Sequence, residues 1–508
     1  MIKYLKEIWS DYVKLYKSLS FLQKYFLLLL LALLAYLPLM RGYVNTHDEM
    51  WTLLMARKPF DEMMKIVIAD DGNPPLYYIY ERFWDYFDND KLNVFWSRFG
   101  NFFILFLTSL LGLFPIRRLF GDRVSLLFCA LVFIMPPSFY LVTDIRGYRL
   151  SGLLVAGAFV YALCICYNNK RGDWFWLALC SLLGMYNHYL CGIWNILIWG
   201  GLFLYLLRQK RYKDIGKMFL WGAFVSLAYL PWLLVFINQY GSMKANWYPK
   251  LGYAELAAFA FFFMFRETSA FYVVMSAFLW SLMLEFTLEN RAERKRVYAV
   301  AWFIIICLLF YFISYFISSL LRPMLIGRYL YPFLVMFYLC ASIVLVYYKK
   351  YRKFFAVMLL PTVILSYSLN YEEMQDKTYM SMSEYVKQNV PENSLLIFNH
   401  SREHLAVRFY LPEYDYAYAP SNITLILSQD EVQNMHNKLK KYDEYDGIYY
   451  FRSTEARANT IVNEEFLDLC TYSYKPHRQF GGCLGKTTAE QAEKIMFYSA
   501  PVLKASYH

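Results

Sequence analysis

Apolar runs of about 20 residues alternate with short charged connections along most of the first 370 positions. About 20 apolar residues are needed for a helix to cross a bilayer. The pattern predicts eleven spans, near 22–40, 95–116, 123–141, 148–167, 174–189, 190–207, 218–237, 270–288, 298–319, 329–348 and 354–369. The 174–207 stretch also reads as one long kinked element. Segment 254–265 is apolar but short and reads as an interfacial helix. Beyond about 370 the period changes. Runs such as LLIFN, YDYAYA, ITLILS and DGIYYF alternate with helix-like DEVQNMHNKLKKY, which predicts a small α/β domain. The expected division is a membrane domain at 1–369, with a long outer loop at 41–94, and an α/β domain at 370–508.

Charge orients this pattern. With Lys3, Lys6, Lys14 and Lys17 in the cytoplasm, alternate loops carry the other basic clusters. These are Arg117, Arg118 and Arg123; Lys170 and Arg171; Arg208, Lys210, Arg211 and Lys213; Arg291, Arg294, Lys295 and Arg296; and Lys349, Lys350, Arg352 and Lys353. All fall on one side, as the positive-inside rule requires. The N-terminus is then cytoplasmic and the C-terminal domain extracytoplasmic. No small-residue cleavage site follows the first apolar run, so that run is expected to stay as an anchor.

Composition agrees. Apolar residues make up 58% of the chain, aromatics 20% and charged residues only 18%, which is too few charges for an ordinary soluble domain. The net charge of +11 lies in clusters between apolar runs, so it reads as an orientation signal and argues against a nucleic-acid partner. Cys129, Cys164, Cys166, Cys180, Cys191, Cys307 and Cys340 lie in or beside spans and read as small hydrophobes. Cys470 and Cys483 are open to pairing in an oxidising compartment. Neither a 20–50-residue repeat nor the symmetry between halves found in many transporters is present.

The residues able to do chemistry gather on the other side. Asp48 and Glu49 follow the first span, and carboxylates at a membrane surface are costly to desolvate. In DDGNPPLYYIYERFW, Pro74 and Pro75 break one helix and start another, and the aromatics that follow suit an interfacial helix. In TDIRGYRL, Asp144 and Tyr148 share a helical face, as do Arg146 and Arg149. Both signs of charge at the mouth of a span suit an anion site beside a carboxylate, or an ion pair anchoring the helix end. Arg328 opens a later span with Arg322 close by, and a guanidinium fork matches phosphate oxygens. A snorkelling interfacial arginine would look the same. His188 ends the fifth span. HExxH, paired CxxC, GxSxG and P-loop patterns are all missing, and GGCLG is too short a signal for a nucleotide loop.

The order of these motifs resembles the GT-C superfamily of membrane glycosyltransferases, in the branch holding protein O-mannosyltransferases and the lipid A aminoarabinose transferase. The matching residues are Asp48-Glu49, NPPLYY, Ser97-Arg98, DIRGYRL, YNHY, YLPW and RYLYPFL, over roughly 20–350. The resemblance implies a GT-C-like helix bundle that transfers sugar from a polyprenyl-phosphate donor on the outer membrane face, with inversion. It casts Asp48 as general base, with Glu49 and Asp144 as catalytic partners. Arg328, Arg146 and Arg149 become candidates for the donor phosphate, and Tyr77, Tyr148, His188 and Asn73 for substrate contacts. Asn73 stands where the family commonly has His, and Asp144 where Glu is common. Whether a divalent cation such as Mg²⁺ or Mn²⁺ takes part stays open. The acceptor is equally open between protein, glycolipid and polysaccharide. The alternatives are a lipid-linked saccharide transporter and a non-enzymatic membrane assembly protein. The Lys-, Asn- and Tyr-rich composition points to a bacterial plasma membrane, where the Asn422-Ile423-Thr424 sequon carries no meaning.

Overall fold

The computed structural model describes residues 18–69, 72–88, 92, 94–242, 270–290, 292–320, 327–398, 401–418, 441–453, 471–474 and 482–492. Several expectations lie outside these residues: the 254–265 helix, Arg322, Cys470, the sequon and the basic N-terminal stretch.

Helix α1 (Phe21–Met40) opens on a reciprocal cap between Ser20 and Gln23. Three short helices follow in the long loop after it: α2 (His47–Arg57), α3 (Phe60–Ala69) and α4 (Leu76–Asp85). Pro59 forces Lys58 into extended backbone and ends α2, and Pro74-Pro75 starts α4. On α4, Ile79, Phe83 and Tyr86 are exposed while Tyr77, Glu81 and Trp84 are buried, which is the two-faced character expected of an interfacial helix.

Helix α5 (Phe95–Leu111) passes through a π turn at Gly112–Ile116 into Arg117–Phe120. The span expected at 123–141 is broken. Helices α6 (Asp122–Ile134) and α7 (Pro136–Thr143) meet at 54°, because Met135 precedes Pro136 and adopts extended backbone. Helices α8 (Tyr148–Tyr167), α9 (Arg171–Asn187) and α10 (Leu190–Arg208) follow. The 174–207 stretch is thus two helices, separated where His188 is extended (φ −158°, ψ 132°). Then come α11 (Tyr212–Ser242), α12 (Ala270–Glu289), α13 (Arg294–Leu320), a 3₁₀ turn at Gly327–Phe333, α14 (Leu334–Tyr347) and α15 (Arg352–Met374).

Among the described residues, eight helices are long and apolar enough to cross a membrane, or nine with the bent α6–α7 pair. The expected count of eleven is not confirmed, although helices also occupy the other two positions, as α9 and α12. The chain is a multi-pass membrane protein. Its basic clusters converge at one end of the bundle: Arg118 pairs with Asp173, Arg211 with Asp214, and Lys295 lies over the Phe120 and Tyr167 rings.

At the opposite end sits the α/β domain. Helix α16 (Thr378–Asn389) leads into a five-stranded sheet of order β2-β1-β3-β5-β4. Strand β1 (Ser394–Phe398) pairs in parallel with β2 (Asp415–Tyr418) and β3 (Gly447–Ser453); β5 (Gly482–Thr487) runs antiparallel to both β3 and β4 (Tyr472–Tyr474). All five β1 residues are buried, as a central parallel strand requires. Helix α17 (Ser401–Tyr410) makes the crossover to β2. GGCLG feeds β5 and is strand, not a phosphate loop. One apolar cluster joins Met50, Leu53 and Tyr77 of the outer loop to Tyr379, Met382, Phe398 and Tyr410, so this domain is packed onto α2.

Glu81 is fully buried on α4. Its neighbour Ser97 commits its one proton to Asp88 Oδ2 (3.0 Å). Burial, opposed in part by Ser97 and reinforced by Asp85 and Asp88, raises the Glu81 carboxyl to about 8. A carboxyl raised from 4.5 lends its stability in full below pH 4.5 and loses it as pH rises through about 8. Thermal melts between pH 5 and 9 should show the wild type falling and Glu81→Gln nearly flat, a difference of roughly 2–4 kcal/mol. Parallel pH profiles for the two proteins would contradict this assignment.

Candidate active site

The polar residues that cluster at the outer-loop end all lie at helix interruptions. Thr46 caps α2, its Oγ1 accepting from Glu49 N (3.3 Å) and donating to Glu49 Oε2 (3.0 Å). Asp48 and Glu49 thereby occupy the first turn of α2, where the helix dipole favours negative charge. Asp144 has extended backbone (φ −80°, ψ 110°) between α7 and α8. His188 separates α9 from α10, and Arg328 lies in the 3₁₀ turn before α14.

Arg328 Nη1 donates to Asp48 Oδ2 in an ion pair that links α2 to the turn before α14. The pair keeps access to space: the Asp48 side chain is 38% exposed and that of Arg328 29%. Arg146 joins from the α7–α8 connection, its Nη1 reaching Thr52 Oγ1 (3.1 Å) and the Asp48 carbonyl (3.4 Å). Burial pushes the Asp48 carboxyl up, but the Arg146 and Arg328 guanidinium groups outweigh it and hold Asp48 below the usual carboxylate range. Asp48 is therefore ionised at neutral pH.

Glu49 turns the other way, into protein. It is 1% exposed, accepts from Ile145 N (3.3 Å) and faces Arg98 Nη2 at 3.7 Å. Arg98 is wholly buried and also donates to the carbonyls of Thr143 (3.2 Å) and Tyr43 (2.8 Å). The pair staples α2 to α5 and to the α7 end that presents Asp144. Burial dominates at Glu49 and raises its carboxyl, with Arg98 opposing. Asp144 is raised too, first by burial and then by the Glu49 charge. One ionised carboxylate thus sits beside two whose ionisation is suppressed.

Asn101 fixes the Asp144 backbone, donating to its carbonyl (2.8 Å), and Tyr77 donates to Asn101 Oδ1 (3.0 Å). Around Arg328 lies an aromatic group. The guanidinium stands over Tyr148 at 6.0 Å, Tyr148 lies 6.1 Å from Tyr329, and His188 lies 5.1 Å from Tyr329 and 5.9 Å from Tyr148. His188 Nδ1 accepts from Leu190 N (3.2 Å). Asn187 donates to the Gly147 carbonyl (2.8 Å) and ties this turn to α8.

The structure thus brings together Asp48, Glu49, Asp144, Arg146, Arg328, Tyr148 and His188. Tyr77 acts one step back, through Asn101. Asn73 is half-buried in the turn before α4. Arg149 is not brought to the group: it turns toward α7 and donates from Nη2 to the Ser138 carbonyl (2.6 Å). Sequence reasoning gave no role to Arg98, Asn101 or Tyr329. The signal for Arg98 was an arginine directly after Ser97 at the mouth of an apolar span. Among the described residues, no three His, Cys, Asp or Glu side chains are placed to hold a metal, with Glu49 turned to Arg98 and Asp48 to Arg328. These groups therefore do not fit a metal centre.

This architecture is the GT-C fold. The aminoarabinose transferase ArnT of Cupriavidus metallidurans in its apo state is similar to the chain at a TM-score of 0.61, with 12% identity, covering 92% of this chain and 98% of that one. The same ArnT bound to undecaprenyl phosphate gives 0.58 over the same shares, again at 12% identity. The Archaeoglobus fulgidus oligosaccharyltransferase with zinc and sulfate shows a looser likeness, 0.48 at 11% identity over 83% of this chain and 67% of that one. No protein-family profile and no curated sequence matches the chain.

Removing Arg98 would leave Glu49 buried without its counter-charge. Arg98→Met is expected to cost about 3–5 kcal/mol, read from the denaturation midpoint in detergent. Adding Glu49→Gln should recover part of that loss, because the stranded charge is gone. If the double variant melts no higher than Arg98→Met, the two groups do not compensate each other.

Proposed function

We propose that the chain is a membrane glycosyltransferase that moves a sugar from a polyprenyl-phosphate donor to an extracytoplasmic acceptor. The observation carrying this reading is the accessible Asp48–Arg328 pair, with Arg146 behind it, in a GT-C fold. ArnT, which shares the fold, has been crystallised with undecaprenyl phosphate, which supports a donor of that lipid class. The basic clusters at the far end of the bundle support a cytoplasmic N-terminus, an extracytoplasmic site and a bacterial plasma membrane.

The reaction balances simply. The acceptor hydroxyl or amine attacks the anomeric carbon, the bond from that carbon to the phosphate oxygen breaks, and polyprenyl phosphate leaves. The acceptor proton passes to Asp48. Arg328 and Arg146 neutralise charge growing on the leaving oxygen. A single in-line displacement inverts the anomeric centre. At rest Arg328 is held by Asp48, and an incoming phosphate competes for that guanidinium. Donor binding therefore relieves Asp48 of one cation and raises its basicity when a base is needed. Asp144, its carboxyl raised by burial and by Glu49 to about 7, is a partly protonated group that can donate to a sugar or acceptor oxygen. Tyr148, Tyr329 and His188 offer flat apolar surface to a sugar ring. No step is assigned to a metal.

Transfer of label from polyprenyl-phosphate sugar to acceptor tests the reading. Asp48→Asn should lower turnover by about 10²–10⁴-fold, the range for losing a general base. Arg328→Gln should lower turnover and weaken donor binding together. Unchanged transfer by Asp48→Asn removes it as the base. Sugar-lipid movement across vesicles without transfer would favour a transporter.

A further inference from the structure

At the candidate site each arginine has a carboxyl group near it: Arg98 faces Glu49, and Arg146 and Arg328 lie beside Asp48 and Asp144. Arg149 is a fourth arginine in the same region and has no carboxylate. It lies in the first turn of α8, one of the apolar spans, and is 6% exposed. Its Nη2 donates to the Ser138 carbonyl, no carboxylate acts on it to compensate the positive charge, and its Nε has no partner. An unpaired guanidinium in a low-dielectric interior is costly.

Arg149 lines a small, partly enclosed cavity of about 20 Å³ among α5, α6, α7, α8 and α14. A second unsatisfied donor opens on the same space. Tyr338 OH, 3% exposed, makes no hydrogen bond of standard geometry, with the Ser138 hydroxyl its near neighbour. The remaining polar lining is Ser138, Thr108, Tyr148 and Tyr331, and no acidic side chain reaches the cavity. Thr108 and Ser138 have their protons committed to the carbonyls of Ile104 and Val132. The cavity therefore presents one cationic N–H and one phenolic O–H, both needing an acceptor, and no negative charge.

We propose that this cavity binds a single halide ion, chloride under ordinary conditions, held by Arg149 Nε and Tyr338 OH as the counter-ion of Arg149. Size decides the class. A single water needs about 10–15 Å³ of such space, so there is room for one water or one halide, and not for phosphate, sulfate or a carboxylate. Charge decides between those two. Water would satisfy both donors but leave Arg149 unneutralised inside the span, whereas a halide does both. Neither Asp48 nor Arg328 lines the cavity, so the site is separate from the donor phosphate position proposed above.

The full chain in detergent is melted in sodium chloride, sodium bromide and sodium gluconate at equal ionic strength. The midpoint should rise by several degrees in either halide, saturably, and stay low in gluconate. Tyr338→Phe keeps the charge but loses one donor, so the halide concentration for half of the effect should rise about tenfold. Arg149→Met should melt identically in all three salts. Crystals grown in bromide should give an anomalous peak within hydrogen-bond distance of Arg149 Nε. Equal melts of the wild type in halide and gluconate, or a bromide-soaked cavity holding only water, would overturn the proposal. A halide effect that survives in Arg149→Met would also overturn it, as a surface effect. If Arg149→Met fails to fold, Tyr338→Phe and the bromide crystal still decide the matter.

Discussion

Charge that must be neutralised away from bulk water governs the end of this molecule that carries the α/β domain. Coulomb energies grow as the dielectric falls, and so does the penalty for leaving any ion alone. The wholly buried Arg98 is the centre of that constraint. It meets Glu49 at 3.7 Å and also holds the carbonyls of Tyr43 and Thr143. One side chain thereby fixes the entry to α2, the end of α7 and the mouth of α5. The accessible Asp48–Arg328 pair can exist in a defined place because this buried pair has set the backbone of both acidic residues.

Helix breaks do the remaining positioning, and each has a local cause. Pro136 bends the α6–α7 span, and Pro332 lies in the 3₁₀ turn that holds Arg328. Extended backbone at Asp144 and His188 interrupts two more helices. Each interruption frees backbone groups that need partners. Asn101, Asn187 and the Glu49 carboxylate supply several of them, at the carbonyls of Asp144 and Gly147 and at Ile145 N. The α/β domain closes the same end. Tyr410 donates to the Val44 carbonyl (2.7 Å), Tyr43 N to the Met374 carbonyl (2.9 Å), and His47 meets Tyr379 at 3.2 Å. The segment just before Asp48 is thus held from both the membrane and the soluble side.

Most of the helices were legible because hydropathy reports burial in lipid directly. Bent and short helices were not, since a window of apolar residues looks the same across Met135 whether or not the chain turns there. The small domain was legible as alternating strand and helix, but its strand order depends on pairings that leave no local trace. At the site, Asp48, Asp144 and Arg328 could be found because charge beside an apolar run is rare. Their sorting could not. Asp48 and Glu49 are neighbours in sequence, yet one faces an accessible arginine and the other a buried one. Arg146 and Arg149 share a helical face by spacing, but the helix begins only at Tyr148, so Arg146 precedes it and points elsewhere. Arg98 was read as part of a motif because nothing in sequence tells a buried counter-ion from a surface arginine.

The division of labour between the two acidic neighbours bears on how such a site is kept ready. A base must be ionised before it accepts a proton, and Asp48 is held ionised by Arg146 and Arg328. The same cations make it a weak base, so a site with only these contacts would be stable and slow. An anionic donor resolves the conflict if it draws Arg328 toward its own phosphate. Glu49 cannot take the released arginine, because Arg98 and Ile145 N already hold it. Asp144, raised toward its protonated form, competes weakly. Under the proposed function, Arg328 would then have two strong partners, Asp48 without donor and phosphate with it, and the basicity of Asp48 would follow donor occupancy. On that reading a neutral lipid would leave Asp48 paired with Arg328, so the anionic charge of the donor would set when the base is competent.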